Sequence, residues 1–126
     1  MRLCFIYDEK NEKYSKLARQ INQYLELNKS EIKVINIQSE EEKSFEKTKI
    51  NITKNDICVI FSDSATELKH SYEDLKRPKN IIVITENLTV EYIMLCVDLT
   101  KHICYAKNNI SEICSRIEGV YEKLLE

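Results

Sequence analysis

The sequence predicts a three-layer α/β sandwich built on a parallel five-stranded sheet. Three observations carry that expectation. Short apolar runs alternate with amphipathic segments from one end of the chain to the other. Several runs are continuously apolar, as strands must be when helices cover both faces of a sheet. No linker, repeat or low-complexity stretch breaks the pattern, and the 126 residues include one Gly and one Pro. That length suits a single domain spanning residues 1–126. A hydrophobic share of 43% is enough to build a core.

The elements follow in order. Residues 3–7 form the first apolar strand. A helix comes next, with Tyr14, Leu17, Ala18, Ile21, Tyr24 and Leu25 spaced three and four apart. Residues 31–37 are a β-branched strand. Residues 39–49 read as a second helix, opened by Ser39 and Glu42 at capping-box spacing. Residues 57–61 are a continuous apolar strand. Ser64 and Glu67 repeat the capping signature, and their helix is expected to stop near Arg77. Pro78 dictates that stop, because it disfavours helical geometry in the residue before it. Residues 81–84 make the fourth strand. Residues 88–99 form a helix that is apolar almost all round, through Val90, Ile93, Met94, Leu95, Cys96 and Val97. Residues 103–106 are the fifth strand. The last helix places Ile110, Ile113, Cys114, Ile117, Val120, Tyr121 and Leu124 on one face, with Asn109 and Glu112 at its cap. Parallel strands need crossover helices, and right-handed crossovers yield the order 2-1-3-4-5 of flavodoxin-like folds.

Composition excludes several functions. Nineteen basic against 21 acidic residues give a net charge of −2. Nucleic-acid binding, which normally shows a basic excess, is therefore not expected. No apolar run reaches the ~18–20 residues of a membrane span. The N-terminal run meets Asp8 too early for a signal peptide. A cytoplasmic domain without membrane attachment is expected. Gly119 lies inside a helical pattern, so neither a dinucleotide fingerprint nor a P-loop is present. Cys4, Cys58, Cys96, Cys104 and Cys114 form no CxxC pair, and His70 and His102 lie near no zinc-like cluster. The thiols read as small core residues kept reduced, and the histidines as surface residues.

In such sheets ligands collect beyond the carboxyl ends of the strands. Asp8 and Glu9 end the first strand, Phe61, Ser62 and Asp63 the third, Thr85 and Glu86 the fourth, and Lys107 the fifth. Clustered carboxylates can hold Mg²⁺, and a lysine beside them can contact a phosphoryl oxygen. Each residue also has a plain structural use. Asp8 and Glu9 suit the positive end of the first helix. Asp63 can precede a helix cap, Thr85 can close a turn, and Lys107 can pair with Asp8 or Asp63.

These residues resemble the receiver domain of bacterial response regulators. Residues 2–9, Arg-Leu-Cys-Phe-Ile-Tyr-Asp-Glu, are similar to its opening strand and acidic terminus. Residues 81–85 are similar to its fourth strand with a terminal Thr, and residues 104–107 to the strand that ends in its lysine. The resemblance implies a rim made of Asp8, Glu9, Asp63, Thr85 and Lys107. Two departures stand out. Tyr7 replaces the first acid, and Phe61 falls where the phosphoacceptor Asp belongs, with Asp63 two residues further on. The loop after it, residues 62–67, also lacks the family's Pro or Gly. The resemblance thus implies a degenerate receiver that does not cycle through aspartyl phosphate, or one in which Asp63 has taken over. It implies no cofactor beyond a weakened Mg²⁺ site.

Two other families share the element order. Flavodoxins hold FMN with small and hydroxyl residues, whereas Asp8, Glu9 and Glu12 would repel its phosphate. TIR domains resemble the chain at residues 8–11 and at Phe61-Ser62. Their NAD-cleaving forms use a Glu on the helix after the third strand, for which Glu73 is the candidate. The expected function is a non-enzymatic signalling or protein-interaction module, with a TIR-like NAD-cleaving or nucleotide-sensing domain as the alternative. The expected partner is another protein or a second copy, docked on residues 88–125. Tyr92, Leu95 and Cys96 are expected to face outward there, beside Tyr105.

Overall fold

A computed structural model describes residues 2–28, 32–38 and 52–125. Their elements are β1 (Arg2–Tyr7), α1 (Glu12–Asn28), β2 (Lys33–Gln38), β3 (Ile57–Phe61), α2 (Ala65–Asp74), β4 (Asn80–Thr85), α3 (Val90–Leu99), β5 (His102–Tyr105) and α4 (Ile110–Leu125). The helix expected over residues 39–49 lies outside the described residues. All four strand pairings are parallel, and the order is β2-β1-β3-β4-β5. The chain therefore has the flavodoxin-like three-layer architecture that the alternation predicts. Asp8 and Lys107, which follow β1 and β5, leave the sheet at the same edge.

Alternation within each strand sorts the core into two layers, because successive side chains point to opposite faces. Leu3, Phe5, Ile57, Val59, Phe61, Ile82 and Ile84 pack against Tyr14, Ile21 and Leu25 of α1 and against Ile113 and Ile117 of α4. Cys4, Ile6, Cys58, Ile60, Ile81 and Val83 pack against Leu68 of α2 and against Tyr92 and Cys96 of α3. Both faces of β1, β3 and β4 are covered, which explains their unbroken apolar runs. All five cysteines are buried and unpaired by disulfide. Burial raises the Cys96 and Cys104 thiols and pushes Cys114 up to about 12, so these thiols stay protonated in the core.

Local chemistry fixes the helix ends. Asn11 caps α1, its side-chain oxygen accepting from the Tyr14 N–H at 3.2 Å. Ser64 caps α2, accepting from the Glu67 N–H at 3.1 Å, and Asn109 caps α4 by accepting from the Glu112 N–H at 2.9 Å. At the other edge of the sheet Arg2 grips Asp56 with two nitrogens, at 2.6 and 3.1 Å, and ties β1 to the start of β3. That guanidinium, opposed by burial and helped by the Thr53 N–H, holds the Asp56 carboxyl down at about 2.

Two expectations need correction. α2 ends at Asp74, three residues before the expected stop. The Arg77 N–H donates to the Tyr72 carbonyl and the Lys76 N–H to the Glu73 carbonyl, a Schellman closure that uses up the residues before Pro78. Lys76 and Arg77 take φ values of 60° and 55° to make it. α3 is also turned differently from the expectation. Tyr92 and Cys96 are 4% and 0% exposed, and Leu95 is half-buried. The outward stripe is instead Leu88, Val90, Met94 and Val97, 55–70% exposed.

A left-handed non-glycine residue costs roughly 1–2 kcal/mol, partly offset by the ~0.5–1 kcal/mol of backbone entropy that a glycine loses on folding. Lys76→Gly is therefore expected to raise the unfolding free energy by about 0.5–1 kcal/mol in urea denaturation.

Candidate functional site

The candidate site lies at the carboxyl edge of the sheet, where the β3–α2 and β4–α3 loops meet the first turn of α1. β3 and β4 place Asp63 and Thr85 side by side, because Phe61 and Ile84 are register partners. The loops are stitched together above them. The Ser62 N–H donates to the Ile84 carbonyl at 3.1 Å, and the Asn87 side-chain amide donates to the Asp63 carbonyl at 2.7 Å. From α3 the Tyr92 hydroxyl donates to the Ser62 carbonyl at 2.9 Å, which is why Tyr92 turns inward.

The Asp63 carboxylate is the hub. One oxygen accepts from the Tyr14 hydroxyl, from Thr85 Oγ1 at 3.0 Å and from the Glu86 N–H at 2.9 Å. The other accepts from Lys13 Nζ at 2.8 Å. Lys13 reaches Glu86 as well, at 2.7 Å, and its ammonium lies 4.4 Å from the centroid of the Tyr14 ring. The Tyr14 hydroxyl in turn accepts from the Glu86 N–H at 3.0 Å. A carboxylate oxygen offers two lone-pair positions; here three donors share one oxygen and Lys13 holds the other.

The electrostatics agree with the geometry. Burial pushes the Asp63 carboxyl up, yet Lys13, Tyr14, the Glu86 amide and Thr85 outweigh it and hold the group at about 2. Burial and then the bonded Asp63 push the Tyr14 phenol well above its ordinary value. Lys13 is raised too, because its two carboxylates overcome its partial burial. At neutral pH Asp63 is therefore ionised, Lys13 is protonated and the Tyr14 phenol is neutral.

Phe61 sits directly beneath. Its ring meets those of Phe5 at 5.7 Å, Tyr7 at 6.0 Å and Tyr14 at 5.8 Å. The last residue of β3 is thus a member of the aromatic core, and Asp63 reaches the edge only after the chain has turned.

The other residues expected at the rim stand apart from this hub. Asp8 folds back to accept the Lys10 N–H at 2.9 Å, and Glu9 is exposed. Lys107 is exposed and makes no ion pair among the described residues, so the expected pairing with Asp8 or Asp63 is replaced by Lys13. Among the described residues no three His, Cys, Asp or Glu side chains gather closely enough to hold a metal. Glu73 lies near the far end of α2, ~13 Å along the helix from Ser64 at ~1.5 Å per residue, and pairs with Arg77 at 3.3 Å. Lys13 and Tyr14 are the functional residues that sequence reasoning missed. Their signal is their place in the first helical turn after β1, which faces the strand ends.

The pH dependence has a defined sign. Asp56 and Asp63 sit at about 2 in the fold, below the ordinary value of about 4. Their contribution is complete above pH ~4 and disappears as pH falls through ~2. Asp63→Asn should cost about 1.5–3 kcal/mol at pH 7, as hydrogen bonds to a charged group do. Urea denaturation should show the gap between wild type and variant closing between pH ~4 and ~2.

Comparison with known proteins places this edge in context. The crystal structure of a response regulator from Thermotoga maritima aligns over 97% of this chain and 98% of its own length, with a TM-score of 0.60 and 12% identity. No protein-family model and no curated protein matches the sequence. The likeness is one of fold: the five-stranded parallel sheet with its described helices matches the architecture of that response regulator.

Proposed function

We propose that the chain is a non-enzymatic signalling module, a receiver-type scaffold whose phosphorylation edge has been exchanged for a permanent internal ion-pair network. One observation carries this reading. Both carboxylate oxygens of Asp63 are engaged by donors of the chain itself, three on one oxygen and Lys13 on the other. Phosphoryl transfer asks for a free carboxylate oxygen in line with the donor and a divalent cation beside it. Lys13 places its ammonium between Asp63 and Glu86, so a cation has to displace it to enter. Phe61, locked among three aromatic rings, offers no acceptor atom.

Such a module signals by contact. The surface for it is the part of the chain from Leu88 onward. The stripe Leu88, Val90, Met94 and Val97 is apolar and exposed, with Leu95 and Tyr105 half-buried nearby. Contiguous exposed apolar side chains of this kind mark association surfaces. The reading takes the occupant of that stripe to be a second copy of the chain, and the domain to act inside the cell.

Incubation with acetyl phosphate and Mg²⁺, followed by intact-mass spectrometry, is expected to leave the chain unmodified. A phosphoryl adduct on Asp63 would falsify the proposal. NAD⁺ in the same buffer should remain uncleaved, and cleavage abolished by Glu73→Ala would establish an enzyme instead. Light scattering at high concentration should give a dimer that Met94→Glu converts to monomer. A wild-type monomer throughout would remove the self-association role of α3.

A further inference from the structure

The opposite end of β5 carries a feature unrelated to the Asp63 edge. Two adjoining cavities, of about 250 and 270 Å³, open where the start of β5 meets the last turns of α4. They share Lys101, His102, Val120 and Lys123, so they form one continuous trough. Together they approach the size range of ligand sites, ~300–1,000 Å³. Their charged lining is cationic: Lys79, Lys101, Arg116 and Lys123, with His102 between them. Among the described residues no carboxylate lines either cavity. The floor is apolar, made by Ile82, Ile103 and Val120.

This polarity runs against the whole chain, whose net charge is −2. Burial, then Lys123 and Lys101, hold His102 below the usual imidazole value, so at neutral pH the positive charge rests on the lysines and Arg116. Gly119, the chain's one glycine, lies in the wall of the trough in the middle of α4. Glycine weakens a helix relative to alanine. A Cβ there would meet nothing within 4 Å, so packing does not require it. Its effect is to leave the trough open. β5 is also an edge strand, hydrogen-bonded on one side to β4. Arg116 reaches its outer side, donating to the Ile103 carbonyl at 3.4 Å.

We propose that this trough binds an extended acidic segment of a partner protein, with carboxylates on the lysines and Arg116 and an apolar side chain on the Ile103–Val120 floor. The proposal rests on the reading of the chain as an interaction module and narrows it to one site and one partner chemistry. A peptide suits the site because the trough is open and sets a cationic rim beside an apolar floor, which the carboxylates and one apolar side chain of a single extended segment can engage together. Opposite charge across the contact speeds the encounter and rejects basic competitors.

Panning a phage-displayed random dodecapeptide library against the intact chain tests this. Recovered peptides should be rich in Asp and Glu with interspersed apolar residues. Their affinity, read by fluorescence anisotropy, should fall at least tenfold in Lys101→Glu/Lys123→Glu and in Gly119→Leu, and should weaken steeply with salt. Amide shifts on binding should centre on Lys101, Ile103 and Val120. Thermal melts of the variants confirm that the fold persists, since all three positions are exposed. Acidic peptides indifferent to these variants would overturn the proposal. So would a library yielding only non-acidic binders, or saturable shifts at the trough from inorganic phosphate without peptide binding. Binders that map to α3 would defeat the trough while leaving the module reading intact. A monomer that selects no peptide would defeat both.

Discussion

A single carboxylate organises the carboxyl edge. Asp63 joins its own loop to two segments distant in sequence: the first turn of α1 through Lys13 and Tyr14, and the end of β4 through Thr85 and the Glu86 amide that follows it. Buried or half-buried charge is tolerated when donors satisfy it. Here the donors are so placed that the carboxylate stays ionised without a metal. A lone surface ion pair contributes little, but this one shares its atoms with a phenol, a hydroxyl and a main-chain amide. Removing any one leaves the others under-satisfied, so the cluster behaves as a unit.

That constraint gives the scaffold its character. A parallel sheet delivers every β-to-α loop to one edge, which makes the edge the natural place for chemistry. In this chain the same geometry delivers a cation from within. An ammonium bridging Asp63 and Glu86 offsets one of their two negative charges and occupies the place between them. The aromatic layer of Phe5, Tyr7, Tyr14 and Phe61 closes the space below it. Tyr14 belongs to both parts, its ring on Phe61 and its hydroxyl on Asp63. The edge and the core are therefore held by one side chain.

Much of this was legible beforehand, for physical reasons. Strands buried on both faces must be continuously apolar, so residues 57–61 announced themselves. The meeting of Asp63 with Thr85 followed from parallel order alone. The partner of Asp63 did not. Lys107 follows β5, two strand spacings or ~9–10 Å from β3, whereas α1 starts beside β1, the immediate neighbour of β3. Lys13 lies in a stretch of mixed charge, residues 8–13, where nothing in the pattern marks one side chain as a partner for Asp63. Tyr14 looked like core and is core, but periodicity carries no information about where a hydroxyl points. α3 was misjudged because a helix that is apolar all round has no readable phase. Its orientation is set by the Tyr92 hydroxyl on Ser62 and by Cys96 in the second core layer. Pro78 places the stop of α2 near Arg77, but the Schellman closure at Lys76 and Arg77 ends the helix earlier, at Asp74.

The central claim is that Asp63 is permanently satisfied by the chain. Carboxyl-carbon NMR titration of Asp63, with and without millimolar Mg²⁺, tests it most directly. The account predicts a carboxyl that titrates near 2 and is unmoved by the ion. A midpoint near the ordinary value of about 4, or a clear displacement by Mg²⁺, would contradict it.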